Sequence, residues 1–373
     1  MIVSAIAGVL IVANVLWEAF ETIVLPRRVT RPFRVTVLFY RFTWIPWRAI
    51  AHGIRKKKRR ETFLGFYGPL SLLCLFMFWA ASLTVGFALL FYSASRTSSV
   101  LPSFASRLYL SGTTLFTLGI GDVVPHTPVE RFLVVTESGL GLGFLALVLS
   151  YLPVIYQAFS RREVSIVLLD ARAGSPPTAA ELLRRHSGAV GAQELEVLLH
   201  DWERSAAEIL ESHISYPAVC YFRSQHNNES WLAALATILD SSALLIASAE
   251  NACARQARLT FAICRHTVVD LAQLFRAVPR ITHDDRLPPE ELQRMRIMLA
   301  KSSVTLRDDQ ASTNKLNELR EMYEPYLQGL SEFLFMEIPP WILSKEIVDN
   351  WRTSAWGRIA GFSALARQDG DDH

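Results

Sequence analysis

The chain has 373 residues, with 38 lysines and arginines against 35 aspartates and glutamates, so its formal net charge of +3 is too small a surplus for a nucleic-acid-binding surface. A hydrophobic content of 51% and a mean hydropathy of +0.23 are high for a wholly soluble protein, which places part of the chain in lipid. The four cysteines, Cys74, Cys220, Cys253 and Cys264, form no CxxC pair, so neither a disulfide framework nor a cysteine zinc site organises the fold.

Three nearly unbroken apolar stretches, residues 1–25, 63–94 and 130–159, reach the roughly 20 residues that a spanning helix needs. The first is expected to form a transmembrane helix over residues 2–25, closed by Pro26, Arg27 and Arg28. It has no basic residue before Arg27 and no cleavage signal, which reads as a retained helix with its N-terminus outside. Glu18 and Glu21 lie near its inner end, and carboxylates there are costly unless paired; the following arginines are the expected partners.

Residues 27–62 are basic. The clusters at Arg27–Arg34 and "RKKKRR", Arg55–Arg60, mark the cytoplasmic side and an attraction to anionic lipid headgroups. Between them, residues 35–53 are apolar and aromatic but carry Arg41, Pro46 and Arg48. This segment reads as an interfacial helix with Trp44 and Trp47 at headgroup level. The arginines at 27, 28, 31, 34, 41 and 48 lack the every-third-residue spacing of a voltage-sensing helix, so voltage sensing is not predicted.

An outer helix over 63–94 then leaves the cytoplasm, followed by the polar turn "SASRTSSVLPS". The helix expected over 104–116 is too short to cross about 30 Å of hydrocarbon. A segment that enters and returns must bury its backbone in protein or line water with it. An inner helix over 129–159 returns to the cytoplasm at Arg161 and Arg162. The topology is a multi-pass protein of the cell membrane with its C-terminal domain cytoplasmic.

The irregular stretch "TTLFTLGIGDVVP", Thr113–Pro125, falls between two spanning helices, the setting of a filter in which backbone carbonyls replace the hydration shell of a cation. Aligning successive carbonyls on one axis requires conformations that a Cβ resists, and glycine at alternate positions supplies them. Gly119 and Gly121 meet that need. Thr117 adds a hydroxyl at the inner end, and Asp122 lies at the outer end.

Here the sequence resembles the potassium-channel pore family. Thr117-Leu118-Gly119-Ile120-Gly121-Asp122 is similar to the T-V-G-Y-G-D signature, is preceded by a pore helix and is followed by Pro125; the likeness covers residues 63–158. The resemblance implies an all-α membrane protein whose pore domain, residues 63–159, has an outer helix, a pore helix, a filter at 117–122 and an inner helix. It implies potassium ions held at Thr117, Leu118, Gly119 and Ile120, with Gly121 completing the filter and Asp122, Thr113 and Tyr109 supporting it. Arg131 and Gly141 fall where the family has an arginine after the filter and a glycine hinge; Gly141 reads equally as a packing glycine. The inner helix would line a water-filled cavity through Leu142, Leu145 and Leu149. Three departures bear on filter bracing: Ile120 in place of tyrosine, Thr113 where some members have glutamate, and Leu110 in place of a cuff aromatic. One filter per chain implies a homotetramer, since four strands must ring the ion. The permeant ion is potassium, and no cofactor is expected.

Residues 160–373 form an all-α domain on sequence pattern. "TAAE", Thr178–Glu181, is a capping box with Gly188 as a stop, and residues 193–210 form an amphipathic helix through Leu195, Leu198, Leu199, Trp202, Ala206 and Ile209. Residues 231–249 are apolar enough for a fourth span, but Asp240, Ser241 and Ser242 favour a buried soluble helix. Further helices are expected over 252–277, 290–302 and 315–335, with "RLPPEE" a loop and helix start. No GxGxxG follows a strand, so a nucleotide-binding regulatory domain is not indicated. "THDD", Thr282–Asp285, reads as a solvated loop, and His200, His213, His226 and His266 show no metal-ligand spacing. His126, just past the filter, reads as an exposed turn residue before it reads as a pH sensor. No nucleophile and base are paired, so an enzyme is not expected. A homotetrameric potassium-selective channel regulated by this domain, for which an unidentified ligand is open, is the leading reading; a weakly selective cation channel and a membrane-anchored scaffold with a vestigial pore are the alternatives.

Overall fold

The computed structural model describes residues 2–25, 34–94, 103–225, 228–248, 252–280 and 285–343. The basic residues Arg27, Arg28 and Arg31, most of the turn after the outer helix, His226 and residues 282–284 of "THDD" lie outside the described residues. Every regular element among those described is helical, and the chain divides into two compact units, Met1–Ala158 and Phe159–His373.

In the first unit, α1 (Ile2–Ala19) runs on through a π-helical turn, Phe20–Val24. It packs on α3 (Lys57–Ala94) with backbones almost touching: a Cβ on Gly8 would lie 2.7 Å from the Gly86 carbonyl oxygen, and one on Gly86 2.8 Å from Val12. Small residues at a crossing allow this approach, which in lipid supplies van der Waals contact in place of a hydrophobic drive. The outer helix α3 starts six residues before the expected 63, because Lys57–Thr62 continue its first turns.

The helix α2 (Val35–His52) packs on α3. Arg27 and Arg28, the partners expected for Glu18, lie outside the described residues. The Glu18 carboxylate accepts the Val35 and Thr36 backbone N–H groups at 3.1 Å each and the Thr36 hydroxyl at 2.7 Å. A carboxylate is well suited to the unsatisfied N–H groups and positive dipole end of a helix start. Glu21 does face an arginine, Arg34, at 3.7 Å, and takes a 2.7 Å hydrogen bond from the Trp17 indole.

The aromatic face of α2 packs inward. Its ring is buried, 2% exposed, against Tyr67 with centroids 4.7 Å apart, while Trp47 stacks on Phe63 at 4.4 Å. Both indoles pack on aromatic rings of the first turns of α3. The opposite face, Val37, Phe42, Ile45 and Ile50, is the exposed one. Four helices among the described residues are long and apolar enough to span: α1 with its π turn, α3, α5 and Trp231–Ser248; α2 is not one of them.

The short helix α4 (Phe104–Leu115) is N-capped by the Ser103 hydroxyl, which accepts from the Ser106 N–H at 3.2 Å, a polar cap at a helix start. It packs on α3, where Leu110 joins Phe87 and Phe91 in a buried cluster. The inner helix α5 (Pro128–Ala173) runs 14 residues beyond the expected end. Its residues from Phe159 onward belong to the second unit.

In that unit, Phe159, Arg162, Ile166, Leu169 and Ala173 of α5 are buried. The capping box forms as the sequence indicates, Thr178 accepting the Glu181 N–H at 3.3 Å at the start of α6 (Ala179–Arg185). Gly188 does not stop that helix, which ends at Arg185; it opens α7 (Gly188–Ser215) in a left-handed conformation, φ +79°. The six residues named for the amphipathic face of α7 are all buried. After a 3-10 turn, Pro217–Tyr221, α8 (Trp231–Ser248) forms the core, almost wholly covered and packed on α6, α9 (Ala252–Phe275) and α11 (Gln310–Glu321). Then α10 (Pro289–Lys301) begins at the second proline of "RLPPEE". The single helix expected over 315–335 is two, α11 and α12 (Glu324–Leu334), because Pro325 near the start of α12 cannot donate to the preceding turn.

Asp240, the residue that argues against a span in α8, is 1% exposed. It accepts from Arg286 Nη2 at 2.7 Å and from the Tyr323 hydroxyl at 2.6 Å. Burial alone would lower the pKa of Arg286, but the Asp240 carboxylate, with Tyr323 and Glu324, holds it above its usual value. A buried charge is tolerable only when paired in this way.

Candidate functional site

The functional residues converge where α4 ends and the chain turns back toward α5. Thr113 anchors the turn through its backbone: its carbonyl accepts the Leu118 N–H at 2.8 Å and the Gly119 N–H at 3.4 Å. Its hydroxyl donates to the Leu110 carbonyl of its own helix at 3.0 Å. The Thr114 carbonyl accepts the Thr117 N–H at 3.0 Å. These bonds fix the inner end of the following strand to the C-terminus of α4.

From there the backbone alternates. Thr117, Gly119 and Gly121 have φ of +55°, +57° and +84°, and Leu118 and Ile120 are not among the positive-φ residues. Residues of alternating handedness turn successive peptide groups toward one side, which collects their dipoles. Glycine takes the left-handed conformation freely, whereas for the β-branched Thr117 it costs about 1–2 kcal/mol. The side chains between point outward into the open: Leu118 is 64% and Ile120 61% exposed.

The outer end is held by acids. The Asp122 carboxylate accepts the Val123 N–H at 3.0 Å and lies beside the Tyr109 hydroxyl, so the fold brings Tyr109 and Asp122 together. Glu130 was not singled out in the sequence, although "TPVE", Thr127–Glu130, is a capping box of the same form as "TAAE". Its carboxylate accepts the His126 and Thr127 N–H groups at 2.7 and 3.2 Å, and the Thr127 hydroxyl accepts the Glu130 N–H at 3.1 Å. Its other oxygen meets Arg107 of α4 at 2.9 Å, both side chains nearly fully buried. This pair ties the start of the pore helix to the start of the inner helix. Arg131, the residue matched to the family's arginine, is not the one that makes it.

Gly141 sits against the other end of the pore helix. A Cβ there would lie 2.0 Å from the Leu115 carbonyl oxygen and 2.9 Å from its carbon, and α5 runs through the position as an unbroken helix. Close packing therefore accounts for this glycine without a bend. Leu142 and Leu145, together with Thr117, Gly141 and residues of α3, line an apolar cavity of about 600 Å³. Leu149 is exposed and lies beyond that lining.

Residues 74–157 match a family described as ion channel, a segment that contains the filter stretch, most of the outer helix and the inner helix to its predicted end. The match supports an ion-channel pore in this segment of an all-α membrane protein. The uncharacterized membrane protein YdjJ of Bacillus subtilis (strain 168) is 24% identical over 180 residues, 47% of this chain and 52% of the relative. The chain thus spans about half the length of that curated relative. No solved structure gives a significant match.

Proposed function

We propose that the protein is a homotetrameric channel that passes potassium through the backbone carbonyls of Thr117–Gly121. The observation that carries this reading is the alternation of left-handed backbone at Thr117, Gly119 and Gly121 on a segment that returns between two helices long enough to span. Carbonyls turned to one side replace the water of a dehydrated cation only when other strands close the ring, and four copies around one axis do so. The exposure of Leu118 and Ile120 in the single chain favours the same assembly, since apolar side chains behind a filter gain cover from neighbouring copies. The apolar face of Leu142, Leu145 and Leu149 would line the cavity below.

Ile120 favours a second reading. It has no hydroxyl with which to brace the filter, and a looser ring discriminates less between potassium and sodium. Reversal potentials in opposed potassium and sodium gradients separate the two, and equal permeability would refute potassium selectivity. Gly119→Ala tests the pore itself. No atom lies within 4 Å of the added Cβ, so the variant acts through the left-handed φ alone and should abolish flux from liposomes. Unchanged flux would point to a scaffold with a vestigial pore.

The second unit would face the cytoplasm and regulate conduction, with residues 159–173 of the inner helix forming part of its core. The basic run would meet anionic lipid: Lys56, Lys58, Arg59 and Thr62 line a hollow of about 450 Å³ with Phe63 and Phe66, cationic heads beside an apolar wall.

A further inference from the structure

Glu137 is a carboxyl group in the middle of an apolar helix, 0% exposed, and the pore reading gives it no part. Its neighbour on α4, Ser111, is also fully buried. The Ser111 Oγ lies 2.5 Å from Glu137 Oε1 and 2.8 Å from the Thr84 carbonyl oxygen of α3. Two hydrogen bonds are thus drawn to one hydroxyl, which owns a single proton. A carbonyl accepts only, and so does an ionised carboxylate. With Glu137 ionised, one of the two contacts sets oxygen against oxygen. With a proton on Glu137 both are satisfied: the acid donates to Ser111, and Ser111 donates to Thr84. The remaining carboxyl oxygen, Oε2, has no hydrogen-bond partner, and an unneutralised charge within a membrane span is costly.

We propose that Glu137 carries a proton and acts as a positioning residue of the pore, its acid linking α5 through Ser111 of the pore helix to Thr84 of the outer helix. The link crosses all three helices that hold the filter, one turn of α4 from Thr113 and Thr114, whose carbonyls anchor Thr117–Gly119. It supplies bracing that Ile120 and Leu110 do not. Among the described residues, no titratable group of α3 or α4 is hydrogen-bonded or ion-paired to Glu137. The charged residues near the starts of α4 and α5, Arg107 and Glu130, are paired with each other. Removing the proton would leave Ser111 with one donor for two acceptors and put a charge behind the filter, loosening the bracing. The inference rests on the reading of residues 63–159 as a conducting pore.

The test compares the full-length wild type with Glu137→Gln, Glu137→Ala and Ser111→Ala in liposomes, reading potassium flux, the potassium-to-sodium permeability ratio and tetramer content. Gln keeps a donor for Ser111 and carries no ionisable proton. It should match the wild type at neutral pH, and its flux should stay level as the pH is raised to about 9, where the wild type declines. Glu137→Ala and Ser111→Ala should lose about tenfold in flux or in permeability ratio with tetramer content unchanged. A conducting wild type with an indifferent Glu137→Ala, a Gln variant that falls with pH alongside the wild type, or an Ala variant whose loss follows loss of tetramer would overturn the proposal alone. A wild type that passes no ions overturns the pore reading and this inference with it.

Discussion

Replacing Gly141 with alanine separates two accounts of this glycine by the sign of the effect. As a hinge it would gain from the change, because alanine stabilises a helix interior by roughly 0.5–1 kcal/mol over glycine. Against the structure it should lose. The new Cβ would sit 2.0 Å from the Leu115 carbonyl oxygen, well over an ångström inside the roughly 3.5 Å of comfortable contact. The obstacle is backbone, with no rotamer to yield, so α5 and the end of α4 must separate. Overpacking costs about 1–3 kcal/mol per subunit, and a clash with backbone belongs at the upper end. The displaced residue lies two positions before Thr117, so the inner end of the filter should shift with it. Thermal unfolding of the detergent-solubilised protein reads the first effect and potassium flux the second, with Gly139→Ala as control, since a Cβ there meets nothing within 4 Å in the subunit. A Gly141→Ala protein that unfolds at or above the wild-type temperature would refute the packing account.

Glu130→Gln should destabilise the first unit by about 3–5 kcal/mol, the cost of leaving Arg107 buried without its charge partner, measured as loss of thermal stability with loss of flux; a neutral result would mean that Arg107 reaches water. Asp240→Asn should cost the second unit less, about 1.5–3 kcal/mol for the weakened charged hydrogen bonds, because Arg286 keeps Glu324 at 3.0 Å; hydrogen exchange in α8 reads it. His213 is fully buried, and desolvation together with the Arg162 guanidinium, 3.2 Å from its ring, holds its pKa well below 6.5. The unfolded chain then binds the proton more readily, so this stability is present above pH ~6.5 and is lost as pH falls, by up to about 1.4 kcal/mol per unit until the folded group titrates. Acid unfolding of the second unit should therefore become shallower in His213→Gln, and identical pH profiles would contradict the assignment.

The backbone alternation of Thr117–Gly121 was legible because its signals are local. Two glycines at alternate positions, a threonine before them and an aspartate after them report backbone conformation directly, and the apolar runs report spans by length. The capping boxes are also local, so Glu130 was readable from "TPVE" in principle, and Glu137 from its place as an acid inside an apolar run. Their partners were not. Arg107 lies 23 positions before Glu130 and Ser111 lies 26 before Glu137, and only the packing of α4 against α5 brings them together. Glu18 shows the same limit. Its need for compensation is visible in the sequence, but an arginine and a helix N-terminus satisfy it equally well, and only the fold brings up the start of α2.

The sequence by itself determined that this chain has helices long and apolar enough to span, an irregular glycine-bearing segment between two of them and a helical remainder, since apolar length and glycine placement act within a few residues. The tertiary structure decided which residues hold that segment in place. It turned Trp44 inward, divided residues 315–335 into two helices, seated Gly141 on the Leu115 carbonyl and tied the pore helix to its neighbours through Arg107 and Ser111. These are contacts between elements far apart along the chain, and their energies depend on burial and on donor and acceptor counts that exist only once the helices have packed.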